Sequence, residues 1–349
     1  MEKEKVTNKY TVLDAFKGFF YMFISTAVLS LIFDIVLRIV ASANGQEYAT
    51  LVKSDLVRII TCVLSPTIMI CFYFIYNHKR KIKQTEALSD GEKISLLPIS
   101  IAIVLAIIAI FMFTPFMNFL DYVFSSWGYV ADNTLPMQDK MTQSGGYLIL
   151  GIFVFALLPA IAEELIFRGI IQKALLSRFS GFVSIMITAL LFTLVHGSLQ
   201  QSCYQFIVAI MLGYLACVGG SILYSFILHF LSNALVVVFS CHDIVGYLSV
   251  KEAAYYNVFS EIFPILIFLL GCILVGILFW VLKYLRNKNF FRFENGKLKV
   301  RTEPVDTQEK VKCGQVWRNL ELQERVYMIT SFAVIIVLWI ANTVAGFMG

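Results

Sequence analysis

Long uninterrupted apolar runs constrain this chain more than any other feature of its sequence. Several runs exceed the roughly 18–20 residues that a helix needs to cross a bilayer. The chain is 59% hydrophobic and only 15% charged, which excludes an ordinary soluble globular domain. We therefore predict an all-α fold, a polytopic transmembrane helix bundle of about nine spans.

The apolar runs divide the chain into three parts. The predicted spans are residues 13–41, 56–77, 95–118, 147–177, 181–197, 203–219, 221–240, 260–283 and 327–348. We predict N-terminal transmembrane helices and loops over 1–146, a central core over 147–240, and C-terminal transmembrane helices over 241–349 with a basic cytoplasmic loop at 284–325.

The charges of the loops predict the orientation. Residues 77–93 and 283–301 are dense in Lys and Arg, whereas residues 42–55 and 119–146 carry few. The positive-inside rule then places the N-terminus and both basic loops in the cytoplasm. We expect a multi-pass protein of a bacterial cell membrane.

One short segment predicts a β-hairpin in the second basic loop. In FFRFENGKLKV, apolar and charged residues alternate around Asn295-Gly296, a typical two-residue hairpin turn. Glu294 would face Lys297, and Phe293 would face Leu298. A solvated basic linker is the alternative.

Two adjacent carboxylates and an arginine interrupt the fourth span, in the segment AEELIFRG. Helix positions four apart share a face, so we expect a structural ion pair between Glu164 and Arg168. Glu163 points elsewhere and has no such partner on its own helix. An unpaired carboxylate in a membrane span is costly and should face a cavity or a polar group of another helix. The alternative is that both glutamates only hold helices together.

Two histidines lie in spans near the expected depth of Glu163. Glu163 and His196 each lie about fifteen residues from the turn at 177–181, which is roughly 22 Å along a helix, so antiparallel helices bring them level. His229 and Asn233 are four apart and share a helix face. Their match to Glu163 is looser and requires the seventh span to begin deeper in the membrane.

The remaining candidate ligands are given no functional role. His78 lies in a basic loop and His242 at an outer helix end. None of the seven cysteines forms a CxxC pair, which argues against a disulfide framework and a thiolate zinc site.

The buried polar residues suggest two chemistries. Glu163, His196 and His229 could hold zinc with a water at the open position. Alternatively, Glu163 and His196 could activate water directly, while His229 and Asn233 donate hydrogen bonds to the developing oxyanion.

Three motifs in order along the chain resemble a known family. EExxxR ends at Arg168, FxxxH covers Phe192–His196 and HxxxN covers His229–Asn233, each on its own span. This pattern, over roughly residues 145–240, is similar to the CPBP family of CAAX prenyl proteases and bacteriocin-processing enzymes. The resemblance implies that Glu163 and His196 activate water and that the HxxxN residues orient or stabilise the reacting carbonyl. Members are described both as metalloproteases and as metal-independent glutamate proteases, and we favour metal-independent catalysis.

We therefore predict a membrane-embedded endopeptidase that hydrolyses a membrane-associated, prenylated or leader peptide. Its partners would be a peptide or protein substrate and the lipid bilayer, with no nucleic acid. No cofactor is firmly implied, and zinc is the alternative. Two other functions stay open: a non-catalytic bacteriocin-immunity or scaffold protein of the same fold, and a proton-coupled transporter, since Glu and His in spans also serve as proton relays. A transporter would more often show two matched halves with broken helices, which are not evident here.

Overall fold

A computed structural model of the chain describes residues 10–89, 94–130, 135–241, 259–287, 292–294, 297–299 and 313–348. In these ranges, eight helices are long and apolar enough to cross a membrane. They are α1 (Val12–Ala43), α3 (Asp55–Arg80), α5 (Leu96–Ser126), α7 (Gly145–Leu176), α9 (Leu199–Gly219), α10 (Ile222–Cys241), α11 (Phe259–Asn287) and α12 (Leu322–Met348). The shorter helices are α2 (Tyr48–Val52), α4 (Gln84–Leu88), α6 (Gln138–Gln143) and α8 (Gly181–Val195). The prediction of an all-α polytopic bundle is confirmed.

The predicted fifth span is the short helix α8. It has 15 residues, which is roughly 22 Å of helix and less than the hydrocarbon core of about 30 Å. Conversely, α9 begins four residues before its predicted start, because Ser198 caps it by accepting a hydrogen bond from the Gln201 amide at 3.3 Å. The residues of this first turn are polar, and their composition is typical of a loop, so the sequence predicted a later start.

Polar contacts tie the segments at each end of the bundle together. At one end, Asp14 pairs with Arg80 at 2.8 Å and Arg178 pairs with Glu324 at 2.6 Å. The start of α1, the end of α3, the α7–α8 turn and the start of α12 therefore lie together. We call this the basic end of the bundle. At the opposite end, the Val130 amide donates to the Gly346 carbonyl at 2.9 Å.

The C-terminal half of α7 is the most enclosed helical segment of the bundle. Its residues Ile166, Ile170, Ile171 and Ala174 are buried in the largest hydrophobic cluster, which helices α1, α3 and α8 also form. Large apolar side chains elsewhere, such as Ile39 on α1, stay exposed on the bundle surface. This arrangement suits a bundle whose outer face contacts lipid and in which the C-terminal half of α7 lies inside.

Two stretches of α7 are π-helical, Phe153–Leu157 and Glu164–Gln172. The first immediately precedes the turn that contains Pro159, which has no amide hydrogen and whose ring clashes with the carbonyl four residues earlier in an α-helix. A wider turn relieves that clash. The second contains Glu164 and Arg168, and such stretches are frequent at functional sites.

The predicted hairpin is confirmed by strands β1 (Arg292–Glu294) and β2 (Lys297–Lys299), which pair antiparallel. Phe293 lies opposite Leu298 and Glu294 opposite Lys297, as the alternation predicted. The turn at 295–296 lies outside the described residues, as does His242.

Candidate active site

Helices α7, α8 and α10 carry the polar residues of the three motifs. Glu164 and Arg168 are each only 1% exposed, and His229 is 5% exposed. Glu163, His196 and Asn233 are half-buried. The site therefore has an inner layer, sealed from its surroundings, and an outer layer that a substrate can reach.

The inner layer is built around Arg168. Its Nη1 donates to Glu164 Oε1 at 2.9 Å, and its Nη2 donates to the Ala209 carbonyl on α9 at 3.1 Å. The guanidinium also lies over the Phe192 ring, 4.9 Å from its centroid. The Arg168 guanidinium thus has contacts on three sides. These contacts compensate for the free-energy cost of removing a cation from water.

His229 lies between the two neighbouring glutamates. Its Nδ1 is 2.9 Å from Glu164 Oε1, and its Nε2 is 3.7 Å from Glu163 Oε2. An ionised carboxylate only accepts hydrogen bonds, so Nδ1 carries the proton toward Glu164. The ring is therefore oriented from behind by Glu164, with Nε2 directed toward Glu163.

The sequence ranked His196 above His229 as the partner of Glu163, yet the ion-pair contact goes to His229. Among the described residues, Glu163 has no ion pair with His196 within 4.0 Å. The π-helical stretch Glu164–Gln172 explains the shift. A π-helix bonds each residue to the fifth along, so it advances less per residue than an α-helix. Glu163 consequently lies nearer the basic end than a uniform α-helix predicts, at a depth that His229 reaches.

His196 is held by its own helix. Its Nδ1 lies 2.8 Å from the Phe192 carbonyl, and a carbonyl can only accept, so Nδ1 donates and Nε2 is left with a lone pair. The ring packs on Phe192 at 4.8 Å between centroids. Gly197 follows at φ +66°, a left-handed conformation that ends α8 directly after the histidine.

Phe192 joins both histidines and the arginine. It is fully buried, and its ring lies 6.0 Å from that of His229 and 5.0 Å from that of Phe167. The FxxxH spacing therefore reflects packing: one aromatic ring separates the two imidazoles and covers Arg168. Asn233 lies one turn beyond His229 on α10.

Two residues near the site were not predicted. Gln172 is 2% exposed, and its Nε2 donates to the Gly213 carbonyl at 2.7 Å. Tyr204 on α9 interacts electrostatically with Glu163. Their polarity inside apolar helices is the signal that could have identified them.

The described residues do not fit a zinc ion. Across the described ranges, no three His, Cys, Asp or Glu side chains cluster so that they could hold a metal. The Nδ1 atoms of His229 and His196 donate to Glu164 and to the Phe192 carbonyl, so only the Nε2 atoms of the two rings could bind a metal. We therefore derive no reaction step through a metal.

Comparison with known protein families finds a match in the central part of the chain. Residues 145–235 match the family model described as type II CAAX prenyl endopeptidase Rce1-like. No curated protein and no solved structure matches the chain significantly. The matched segment contains α7, α8, α9 and most of α10, and hence every residue of the three motifs.

Proposed function

We propose that this integral membrane protein, whose residues 145–235 match the family model described as type II CAAX prenyl endopeptidase Rce1-like, is an intramembrane endopeptidase. It hydrolyses a peptide bond of a membrane-associated, prenylated or leader peptide. The observation that carries the proposal is the position of His229 between two carboxylates, one buried and one half-exposed. A buried charge network of Glu164, Arg168 and His229 behind the half-buried Glu163 and His196 suits a hydrolase that must build its own polar cavity in lipid.

Glu163 and His196 activate the water. The Glu163 carboxylate takes one proton from water, and the remaining O–H of that water donates a hydrogen bond to His196 Nε2. The water oxygen bonds to the carbonyl carbon of the scissile peptide, and the carbonyl electrons move to its oxygen. The C=O bond then re-forms as the C–N bond breaks, and Glu163 passes its proton to the leaving nitrogen, which restores the free carboxylate.

His229 and Asn233 stabilise the reacting carbonyl. Asn233 donates through its amide, and His229 donates through Nε2 when the ring carries both protons. Glu164 and Arg168 do not touch the substrate in this scheme. They hold the imidazole in place, which matters because preorganised donors need no reorientation as charge develops.

The substrate class is tested with purified protein in liposomes. Three probes separate the alternatives: a farnesylated peptide with a C-a-a-X tail, the same peptide without the lipid, and a membrane-inserted leader peptide. We expect cleavage of the farnesylated peptide, with Glu163→Gln inactive. Glu47→Gln is the matched control, because Glu47 is an exposed carboxylate in the loop before α2. Cleavage of none of the probes by wild-type protein would count against this substrate class.

A further inference from the structure

Two hydrogen bonds fix how α7 lies against α9. Arg168 donates to the Ala209 carbonyl at 3.1 Å, and Gln172 donates to the Gly213 carbonyl at 2.7 Å. Both contacts join residues 41 apart in the sequence. A constant offset means that the two helices run parallel, with one turn of α7 matched to one turn of α9.

The same register identifies what lies beside the two glutamates. One turn further toward the opposite end of the bundle, an offset of 41 places Gln205 level with Glu164 and Tyr204 level with Glu163. The electrostatic interaction of the Tyr204 phenol with the Glu163 carboxylate agrees with this placement. It brings a phenol to the outer layer of the site.

The described neighbours of Tyr204 orient its hydroxyl group but do not accept its proton in a hydrogen bond. Gln205 Nε2 donates to the Tyr204 oxygen at 3.4 Å, and the Tyr204 ring packs against Phe113 at 5.8 Å between centroids. In the described part of the chain, no acceptor for the hydroxyl proton lies within hydrogen-bonding distance. Both residues are half-buried, so a bound peptide can reach them.

We propose that Tyr204 is a further catalytic residue, whose hydroxyl donates a hydrogen bond to the oxyanion that forms on the scissile carbonyl. Gln205 is a positioning residue that holds the phenol in its productive orientation. No proton is transferred: the O–H bond of Tyr204 stays intact while negative charge grows on the carbonyl oxygen and then returns to the C=O bond. This inference rests on the proposed endopeptidase function.

The test is Tyr204→Phe, which removes the hydroxyl and keeps the ring on Phe113. The probe is a peptide that wild-type membranes release and Glu163→Gln membranes do not. Losing one oxyanion donor typically lowers kcat by about 100–1,000-fold, and we expect a loss of this order with KM within about twofold. Tyr214→Phe on the same helix is the matched control, because that hydroxyl donates to the Phe279 carbonyl at 3.2 Å, away from the site, and its kcat should be unchanged.

A second measurement separates chemistry from folding. Fluorination of tyrosine at position 204 makes the phenol a stronger hydrogen-bond donor, so kcat should change along the fluorinated series while the Tm stays constant. Tyr204→Phe within about threefold of the wild-type kcat, or a kcat that does not respond to fluorination, overturns the inference. If Glu163→Gln is inactive in either case, the endopeptidase stands and only the role of Tyr204 is withdrawn. If Glu163→Gln cleaves like wild type, the proposed function fails and this inference with it.

Discussion

Glu163 and Glu164 are adjacent in the sequence, yet their side chains have opposite surroundings. Glu164 is 1% exposed and contacts both Arg168 and His229, whereas the Glu163 side chain is 20% exposed. A carboxylate sealed between a guanidinium and an imidazole is suited to holding other groups in place. A carboxylate that water can reach is suited to accepting a proton. The two residues should therefore respond differently to substitution.

Arg168→Ala should destabilise the protein before it affects chemistry. It removes the cation from a buried pair and leaves Glu164 uncompensated, which costs about 3–5 kcal/mol of the free energy of unfolding. We expect lower membrane yield and a lower Tm in detergent. Arg38→Ala is the matched control, because it breaks an exposed pair of the same spacing, with Asp34, and should change the Tm little. A fully stable but inactive Arg168→Ala protein would instead assign Arg168 a direct role in catalysis or substrate binding.

Chelation of metal ions tests the hypothesis that the site residues work without a metal. Because Glu163 and His196 suffice to activate water in the proposed scheme, exhaustive chelation of purified protein should leave activity unchanged. Metal content is measured on the same sample. Stoichiometric zinc, with activity lost on its removal and restored by its addition, would overturn this reading and leave the endopeptidase proposal standing.

Much at the residue scale followed from spacing alone. Oppositely charged residues four apart along a helix predict the Glu164–Arg168 pair without any tertiary information. The contact of His229 with both glutamates could not be predicted in the same way. It depends on the depth at which α7 and α10 begin and on the nine residues of π-helix between Glu164 and Gln172, which alter the rise that a uniform α-helix would give.

At the scale of elements, the close approach of α7 and α9 depends on a glycine. A Cβ on Gly213 would lie 2.9 Å from Gln172 Oε1 and 3.2 Å from Ile185 Cγ2. The Gln172 amide would then have to shift from its present position beside the Gly213 carbonyl. The register of the two helices, and with it the placement of Tyr204, therefore relies on the missing side chain.

Gly213→Ala should lower the Tm despite the higher helix propensity of alanine, which is worth about 1 kcal/mol per residue. The displaced Gln172 amide leaves a buried polar group without its partner. Gly276→Ala on α11 is the control, because no atom lies within 4 Å of a Cβ there. It should be neutral or stabilising. Equal stabilisation by both substitutions would show that the α7–α9 register tolerates a side chain at 213.

The elements themselves were largely predictable, and the exceptions have a physical cause. Apolar runs locate membrane helices because lipid cannot bond to exposed backbone. They do not locate helix ends: α3 continues to Arg80 and α5 to Ser126, past the predicted limits of 77 and 118, because the hydrogen-bond ladder does not require apolar side chains. The length of α8 was overestimated by two residues, because the left-handed conformation of Gly197 at φ +66° ends the helix at Val195.

At the scale of the molecule, the basic end joins the segments that the positive-inside rule assigns to the cytoplasm. The pairs Asp14–Arg80 and Arg178–Glu324 lie at that end. The bundle thus agrees with a chain that alternates direction at every apolar helix, α8 included. The charge of the loops determines which side of the membrane the basic end faces. We infer that it faces the cytoplasm.

Tags at residues 1 and 349 test this topology in the full chain. If α8 reverses the chain as the long helices do, the two tags should lie on opposite sides. The N-terminal tag should be cleaved by protease only in inside-out vesicles, and the C-terminal tag only in intact cells whose outer surface is accessible. If protease cleaved both tags from the same side of the membrane, one of the apolar helices would not cross it.

The central claim is that Glu163 is the base that activates water for peptide hydrolysis. Its most direct test compares newly formed peptide termini in membranes that contain wild-type protein, Glu163→Gln or Glu47→Gln at equal abundance. Glutamine keeps the size of the side chain and removes the base, so termini released by wild type and by Glu47→Gln should fall by orders of magnitude with Glu163→Gln. A Glu163→Gln protein that releases the same termini at the wild-type rate would contradict the assignment.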